Sequence, residues 1–409
     1  MSQDTTTGQV SVDLRPVPTA VRPAPLRALI ARTIFVRWTR KLPIRVTDVT
    51  GRSWGTGGPE SPVLHIVNST EVYRRLGRDA NIGFGEAFQT GAWTSPDPAA
   101  VLTTFATHLT TRVPPRLQAL RMWAQRIKGH LETNTHEVAK RNIEAHYDLS
   151  NEMFATFLDE TMSYSAAWFE PGNNLEQAQL RKIDGILDYA GVFDGTTLLE
   201  IGTGWGALAI RAAQRGAFVT SLTLSVEQQR LAEERIQAAG MSDRVTVLLQ
   251  DYRDAQGTYD AVVSVEMIEA VGGEYWAEYF ATIDRLLNSN GRAALQAITM
   301  PHERMLVSRR AYTWINKYIF PGGLIPSERA IEECLRDNTH LHVAQTRELG
   351  QDYAETLAQW RRRFLSNWPT VESLGFDETF RRTWEYYLAY CEAGFRTEYI
   401  NVVQLQLTR

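Results

Sequence analysis

Cysteine is nearly absent from this chain: Cys334 and Cys391 are the only two in 409 residues. They have no metal-ligand spacing and build no disulfide framework, so they read as buried apolar filler in a reducing cytoplasm. No apolar run is long enough to span a bilayer, and no charged start, apolar stretch and small-residue cleavage site follow one another as in a signal peptide. A soluble protein kept inside the cell is expected. Histidine is scarce too. His65, His108, His130 and His136 show no i, i+4 pairing with a carboxylate, which argues for structural roles and against a metal. Repeats and low-complexity blocks are missing as well. What is present is 44% hydrophobic residues, enough for a large core and, at this length, for two domains.

Charge is unevenly spread. Within residues 1–45, Arg15, Arg22, Arg27, Arg32, Arg37, Arg40, Lys41 and Arg45 oppose only Asp4 and Asp13, a formal +6. The whole chain carries −4, so the remainder carries −10. A body of that sign lacks the basic face that nucleic-acid phosphates require. Residues 1–25 read as a flexible tail, because Pro16, Pro18, Pro23 and Pro25 forbid an early helix. From Leu26, the apolar residues Leu29, Ile30, Ile34 and Phe35 recur at helical spacing. Two readings of this basic segment stay open. It holds the protein on an anionic leaflet, each basic side chain contributing ~1 kcal/mol, or it is a solvated helix packed on its own domain, since its arginines are spread around the axis. Residues 26–115 are expected to form a small mixed α+β domain and 116–140 a polar helical linker, leaving 141–409 as the main domain.

The most informative stretch is Leu198-Leu199-Glu200-Ile201-Gly202-Thr203-Gly204-Trp205-Gly206. A strand that ends in closely spaced glycines before a helix lets backbone approach a bound nucleoside. Simple packing is the alternative reading of such a turn. The full dinucleotide spacing is absent, and the next strand, 218–224, ends in Thr223-Leu224-Ser225 where a ribose-binding acid would stand. Beyond it the pattern predicts a helix over 226–239, strands over 245–252 and 259–265, a helix over 274–287 and a strand over 291–299. Alternation of this kind predicts an α/β fold with a mostly parallel sheet and ligand at the carboxyl ends of its strands. The stretch 399–407 alternates apolar and polar residues, as a half-buried final strand does.

Several further motifs resemble the cyclopropane-fatty-acyl-phospholipid synthases and mycolic acid cyclopropane synthases. They are His146-Tyr147-Asp148-Leu149-Ser150, Thr161-Met162-Ser163-Tyr164-Ser165, Glu200 to Gly206, Leu222 to Ser225 with Gln228, Gln250-Asp251-Tyr252-Arg253, Glu266-Met267-Ile268-Glu269, Tyr318 to Gly323, and Asp352-Tyr353. A shorter match, Gly83-Phe84-Gly85-Glu86-Ala87, resembles the smaller amino-terminal domain of the bacterial phospholipid enzymes. The resemblance implies a Rossmann-like class I fold dependent on S-adenosylmethionine (SAM), with a seven-stranded sheet and a lipid-binding insertion around 300–330. By the same resemblance Tyr164, Ser165, Gly202, Gly204, Thr223, Leu224, Gln228, Asp251 and Tyr252 would hold SAM, Asp251 by accepting from the adenine amino group.

The implied chemistry methylates the cis double bond of an unsaturated phospholipid acyl chain and passes through a carbocation. Tyr164, Trp168, Tyr312, Trp314, Tyr318, Phe320 and Tyr353 are candidate aromatic walls for it, with a plain aromatic core as the alternative for any one of them. In many relatives a bicarbonate held by a cysteine, a glutamate, a histidine, a tyrosine and backbone then removes a proton. The matching positions here are Ala166, Glu269, Gln296, Tyr353 and Ile298, so thiol and imidazole are both missing. Either bicarbonate binds less firmly or a carboxylate, Glu269 or Glu266, takes the proton. A functional role is favoured for Glu269, while Glu266 stays open between function and structure. The altered base site and a likeness to actinobacterial enzymes making 10-methylene or 10-methyl stearate lean the product toward a methylene branch, which a reductase partner would reduce. A cyclopropane product stays open. So do a small-molecule methyltransferase, a non-catalytic lipid-binding relative and a homo-oligomer. Peripheral association with the inner face of the membrane is expected.

Overall fold

The computed structural model describes residues 16–18, 24–112, 150–309 and 311–409. Most of the 1–25 tail, the 116–140 linker, His130, His136 and the motif 146–149 lie outside the described residues. Helix α1 (Pro25–Thr39) starts with proline in its first turn, where no N–H is needed. It is followed by β1 (Arg45–Asp48), β2 (Ser53–Trp54), β3 (Val63–Ile66), α2 (Ser69–Arg78), α3 (Ala80–Gln89), β4 (Trp93–Thr94) and α4 (Pro98–Arg112). The four strands make a small sheet in the order β2-β1-β3-β4. His65 bonds Thr47 across it, and His108 bonds the Thr104 carbonyl one helical turn back, both at 2.8 Å.

A second sheet contains β5 (Thr197–Ile201), β6 (Phe218–Thr223), β7 (Val245–Leu249), β8 (Tyr259–Val265), β9 (Leu287–Thr299), β10 (His342–Glu348) and β11 (Asn401–Thr408). Its order is β10-β11-β9-β8-β5-β6-β7. The five strands from β9 to β7 run parallel, and β11 and β10 add an antiparallel edge. This is the expected seven-stranded, mostly parallel class I sheet. The chain turns outward in both directions from the β5/β8 pair, so loops after these strands diverge and leave a crevice at their carboxyl ends.

Element ends differ from the sequence reading for local reasons. Strand β7 stops at Leu249, because Asp251 accepts from the Arg253 N–H and caps a short 3₁₀ turn, Tyr252–Asp254. Strand β9 begins at Leu287, its pairing with β8 skipping between Tyr259 and Ala261. Strand β11 begins at Asn401, since Glu398 turns the chain with φ +52°.

The amino-terminal elements share one continuous apolar core with the helices Gly350–Ser366 and Glu378–Arg396. At that junction the fully buried Glu86 accepts from Arg75, Arg78, Lys317 and Tyr318. Gln89 is fixed between Thr383 and the Trp314 indole N–H, each at 2.9 Å. Buried charges that are paired and hydrogen-bonded in this way hold one geometry.

Candidate active site

A cavity of about 1770 Å³ opens at the carboxyl ends of β5, β6, β7 and β8. Every residue assigned to the nucleoside side lines it: Tyr164, Ser165, Gly202, Gly204, Thr223, Leu224, Gln228, Asp251 and Tyr252. Gly202 and Gly204 sit at φ +96° and +53°, conformations that side-chain-bearing residues rarely adopt. A Cβ on Gly202 would lie 2.9 Å from the Met267 side chain, whereas one on Gly204 would meet nothing within 4 Å. Gly204 therefore borders open cavity. The Thr223 hydroxyl donates to Gln228 Oε1 at 3.0 Å. Buried Asp251 pairs with Arg253 at 2.7 Å, and its carboxylate, an acceptor only, lines the cavity. The set of hydroxyls, amide, carboxylate and aromatic ring fits a nucleoside carrying an amino-acid tail, as SAM does.

At the inner end of the cavity four residues far apart in sequence meet. Glu266 is held at φ +52° just beyond β8. Its Oε1 accepts from the Ala166 N–H at 3.0 Å and Gln296 Nε2 at 2.8 Å, and its Oε2 accepts from the Tyr353 hydroxyl at 2.8 Å. The Gln296 amide is oriented by Gln404, which donates to its Oε1 at 3.0 Å. Burial raises the Glu266 pKa above the ordinary carboxylate value, against the opposing pull of the three donors. Glu269 Oε1 accepts from the Ile298 N–H, while its buried Oε2 has no hydrogen-bond partner among the described residues. Burial first, and then the charge of Glu266, push Glu269 up to about 8. Glu266, Glu269 and Tyr353 line the cavity, and Gln296 stands behind Glu266.

The aromatic candidates divide. Tyr164, Trp314, Phe320 and Tyr353 face the cavity; Trp168, Tyr312 and Tyr318 are not among its lining residues. Trp168 is instead sandwiched by the Arg181 and Arg347 guanidiniums, 3.7 and 4.1 Å from its ring, and the Tyr318 hydroxyl is spent on Glu86. Cation–π contact and a buried carboxylate explain those positions without a ligand. Sequence reasoning missed Tyr386, Tyr387 and Tyr390, which the helix Glu378–Arg396 turns into the cavity. Their i, i+3, i+4 spacing was the available signal. It also missed Phe35, Trp38, Phe84 and Phe105, by which the amino-terminal part closes one wall. Lys182, fully buried, donates to the Ser165 hydroxyl at 2.7 Å, and burial pushes it down to about 8.

The Glu269 shift has a measurable sign. An acid whose pKa is higher in the folded state stabilises below its unfolded value, and that stability is lost as pH rises through the folded value. Glu269→Gln is therefore expected to gain thermal stability relative to the parent between about pH 4.5 and 8, by at most roughly 1.4 kcal/mol per pH unit. Melting curves across that range check it. A stability difference that is flat with pH contradicts the buried, uncompensated carboxyl.

Residues 134–405 match the family model "Mycolic acid cyclopropane synthetase". The tuberculostearic acid methyltransferase UfaA1 of Mycobacterium tuberculosis is 49% identical over 390 residues, covering 93% of this chain and 91% of that protein. The cyclopropane-fatty-acyl-phospholipid synthase of Escherichia coli K12 is 34% identical over 346 residues, covering 84% of this chain and 87% of that one. Among solved structures, the mycolic acid cyclopropane synthase CmaA1 complexed with SAH and CTAB superposes with a TM-score of 0.61 at 32% identity, over 66% of this chain and 98% of that one. The glycine crevice with its polar rim, the parallel sheet and these likenesses agree: the chain belongs to the mycolic acid cyclopropane synthetase family and is a SAM-dependent methyltransferase of fatty acyl chains.

Proposed function

We propose that the enzyme methylates the cis double bond of an oleoyl chain in a membrane phospholipid and releases a 10-methylene chain. The observation that carries this reading is the position of the Glu266 carboxylate. The donors at three positions matching the bicarbonate site of relatives, Ala166, Gln296 and Tyr353, are already bonded to it. The residues present therefore do not fit a separate bicarbonate, and we assign the base to Glu266 itself.

Bound SAM supplies an electrophilic methyl group on a sulfonium. Shielding the product of methyl transfer and removing its proton fall to this chain's own residues. The methylated acyl chain carries a cation that water would capture, and the aromatic side chains Tyr164, Trp314, Phe320, Tyr353 and Tyr387 along the cavity wall screen it. A hydride moving from the methylated carbon to its neighbour places the cation beside the new methyl. Loss of a methyl proton to Glu266 then leaves an exocyclic methylene. A carboxylate raised by burial accepts that proton more readily than an exposed one. Glu269, held largely protonated at neutral pH by its pKa of about 8, avoids a second negative charge beside the base. A separate reductase is the partner that would convert the methylene to a methyl branch.

Likeness to a protein named tuberculostearic acid methyltransferase supports the branched product, and likeness to a cyclopropane synthase keeps direct ring closure as the second reading. The two products have equal mass. Proton NMR of saponified lipids from oleate-fed cells expressing the chain is expected to show olefinic methylene signals, and exclusively cyclopropane signals would overturn the methylene assignment. We also place the enzyme peripherally, on the anionic inner face of the membrane. No described helix is long and apolar enough to cross a membrane, and residues 24–45 contain six basic side chains and no acid.

A further inference from the structure

The wall of the cavity that faces outward is built by α1, a segment that the nucleoside and base machinery does not use. One side of α1 is anchored: Phe35 and Thr39 are buried, and α2 approaches so closely that a Cβ on Gly77 would sit 2.8 Å from the Arg27 backbone. Among the described residues, the opposite side is exposed. Leu26, Leu29, Ile30 and Ile34 are 70%, 56%, 50% and 63% exposed, and a helical wheel puts them on one face, with Arg37, Arg40 and Lys41 following at its carboxyl end. Ile30 and Ile34 also line the cavity, as does Arg27. Helix His302–Ser308 supplies Arg304, Val307 and Ser308 to the same cavity, and its Leu306 and Val307 are more than 40% exposed. Aliphatic side chains, the cations Arg27 and Arg304 and one acid, Glu303, thus border one opening that leads inward to Glu266 and Gly202.

We infer that the outer face of α1 inserts into an anionic phospholipid leaflet and that an acyl chain enters between α1 and the helix His302–Ser308 without crossing water. This rests on the reading that the substrate is a membrane phospholipid. Two observations commit the face to a bilayer. Four neighbouring aliphatic side chains left in water are unfavourable unless an apolar phase receives them. The charge that α1 and the residues just after it carry, Arg27, Arg32, Arg37, Arg40 and Lys41, is of one sign, which suits an anionic headgroup layer. Continuity with the cavity explains why the ridge stands where it does.

The test uses the full chain, vesicles of dioleoyl phosphatidylglycerol, and the same lipid dispersed in detergent micelles. In Leu26→Glu/Leu29→Glu, which alters neither cavity wall nor base, sedimentation with vesicles and turnover on them are expected to fall roughly tenfold or more. Micellar turnover and SAM affinity are expected to stay within about twofold. Arg37→Ser/Arg40→Ser provides a second, non-disruptive probe: its vesicle binding should weaken and lose most of its salt dependence. Vesicle binding equal to the parent in both variants overturns the inference. So does a change of oligomeric state with vesicle binding intact, which would make the face a contact between copies. Failure of the substrate reading looks different: the parent would bind vesicles and SAM yet leave the phospholipid unmodified in vesicles and micelles alike.

Discussion

Glu266→Gln is expected to lower turnover by roughly 10²–10⁴-fold, the usual range for a general base, with SAM affinity nearly unchanged. Glutamine keeps the size and one carbonyl acceptor. It loses the anion, and its NH₂ group cannot accept from the donors at Ala166, Gln296 and Tyr353 that now converge on the carboxylate. A companion variant separates a base from a merely structural carboxylate. Glu266→Gly suits the backbone, since φ is +52° there, and it frees the same donors for a small external anion. Added bicarbonate or formate is expected to restore part of the turnover in Glu266→Gly and none in Glu266→Gln. Single-turnover rates with isothermal titration of SAM provide the measurement. Near-normal turnover in Glu266→Gln, or equal anion response in the two variants, refutes the assignment. If Glu269 were the base instead, Glu269→Gln would show the larger loss.

Gly204→Val should weaken SAM binding by roughly 10²-fold or more, about 2.7 kcal/mol. The side chain would project into the open side of the crevice, where nothing lies within 4 Å of a Cβ, and a β-branched residue resists φ +53°. Strain and occlusion must be told apart. Gly240 has a comparable φ of +69° and equally open surroundings, but it lies in the turn after the helix Val226–Ala238 and does not line the cavity. Gly240→Val is therefore expected to cost stability while keeping SAM affinity. Calorimetric titration of both variants decides; unchanged affinity in Gly204→Val removes the cofactor assignment from this crevice. Asp251→Asn should weaken SAM binding less, because an amide still offers an acceptor although its pairing with Arg253 is lost.

Local order was legible along the chain. The glycine run, the alternation of strands and helices and the Thr223-Leu224-Ser225 ending are properties of neighbouring residues, and backbone conformation follows from neighbours: glycine permits φ above zero at 202 and 204, and β-branched runs favour strands. Gly202, Gly204, Leu224, Asp251 and Tyr252 were legible for the same reason, since each lies in the turn after a strand, whereas Gln228 sits in the helix Val226–Ala238 and Tyr164 and Ser165 in the loop before the helix Leu175–Ala190. Tertiary structure alone decided the rest. Ala166, Glu266, Gln296 and Tyr353 are separated by 30 to 187 positions, and only the order β11-β9-β8-β5, with the helix Gly350–Ser366 packed beside it, brings their polar atoms onto one carboxylate. Trp168 and Tyr318 looked like lipid-facing rings until their cation and carboxylate partners were visible. The amino-terminal wall of Phe35, Trp38, Phe84 and Phe105 was equally hidden. A side chain's rotamer, burial and partner depend on what the fold places opposite it, and that opposite surface comes from residues too distant in sequence for local propensity to register.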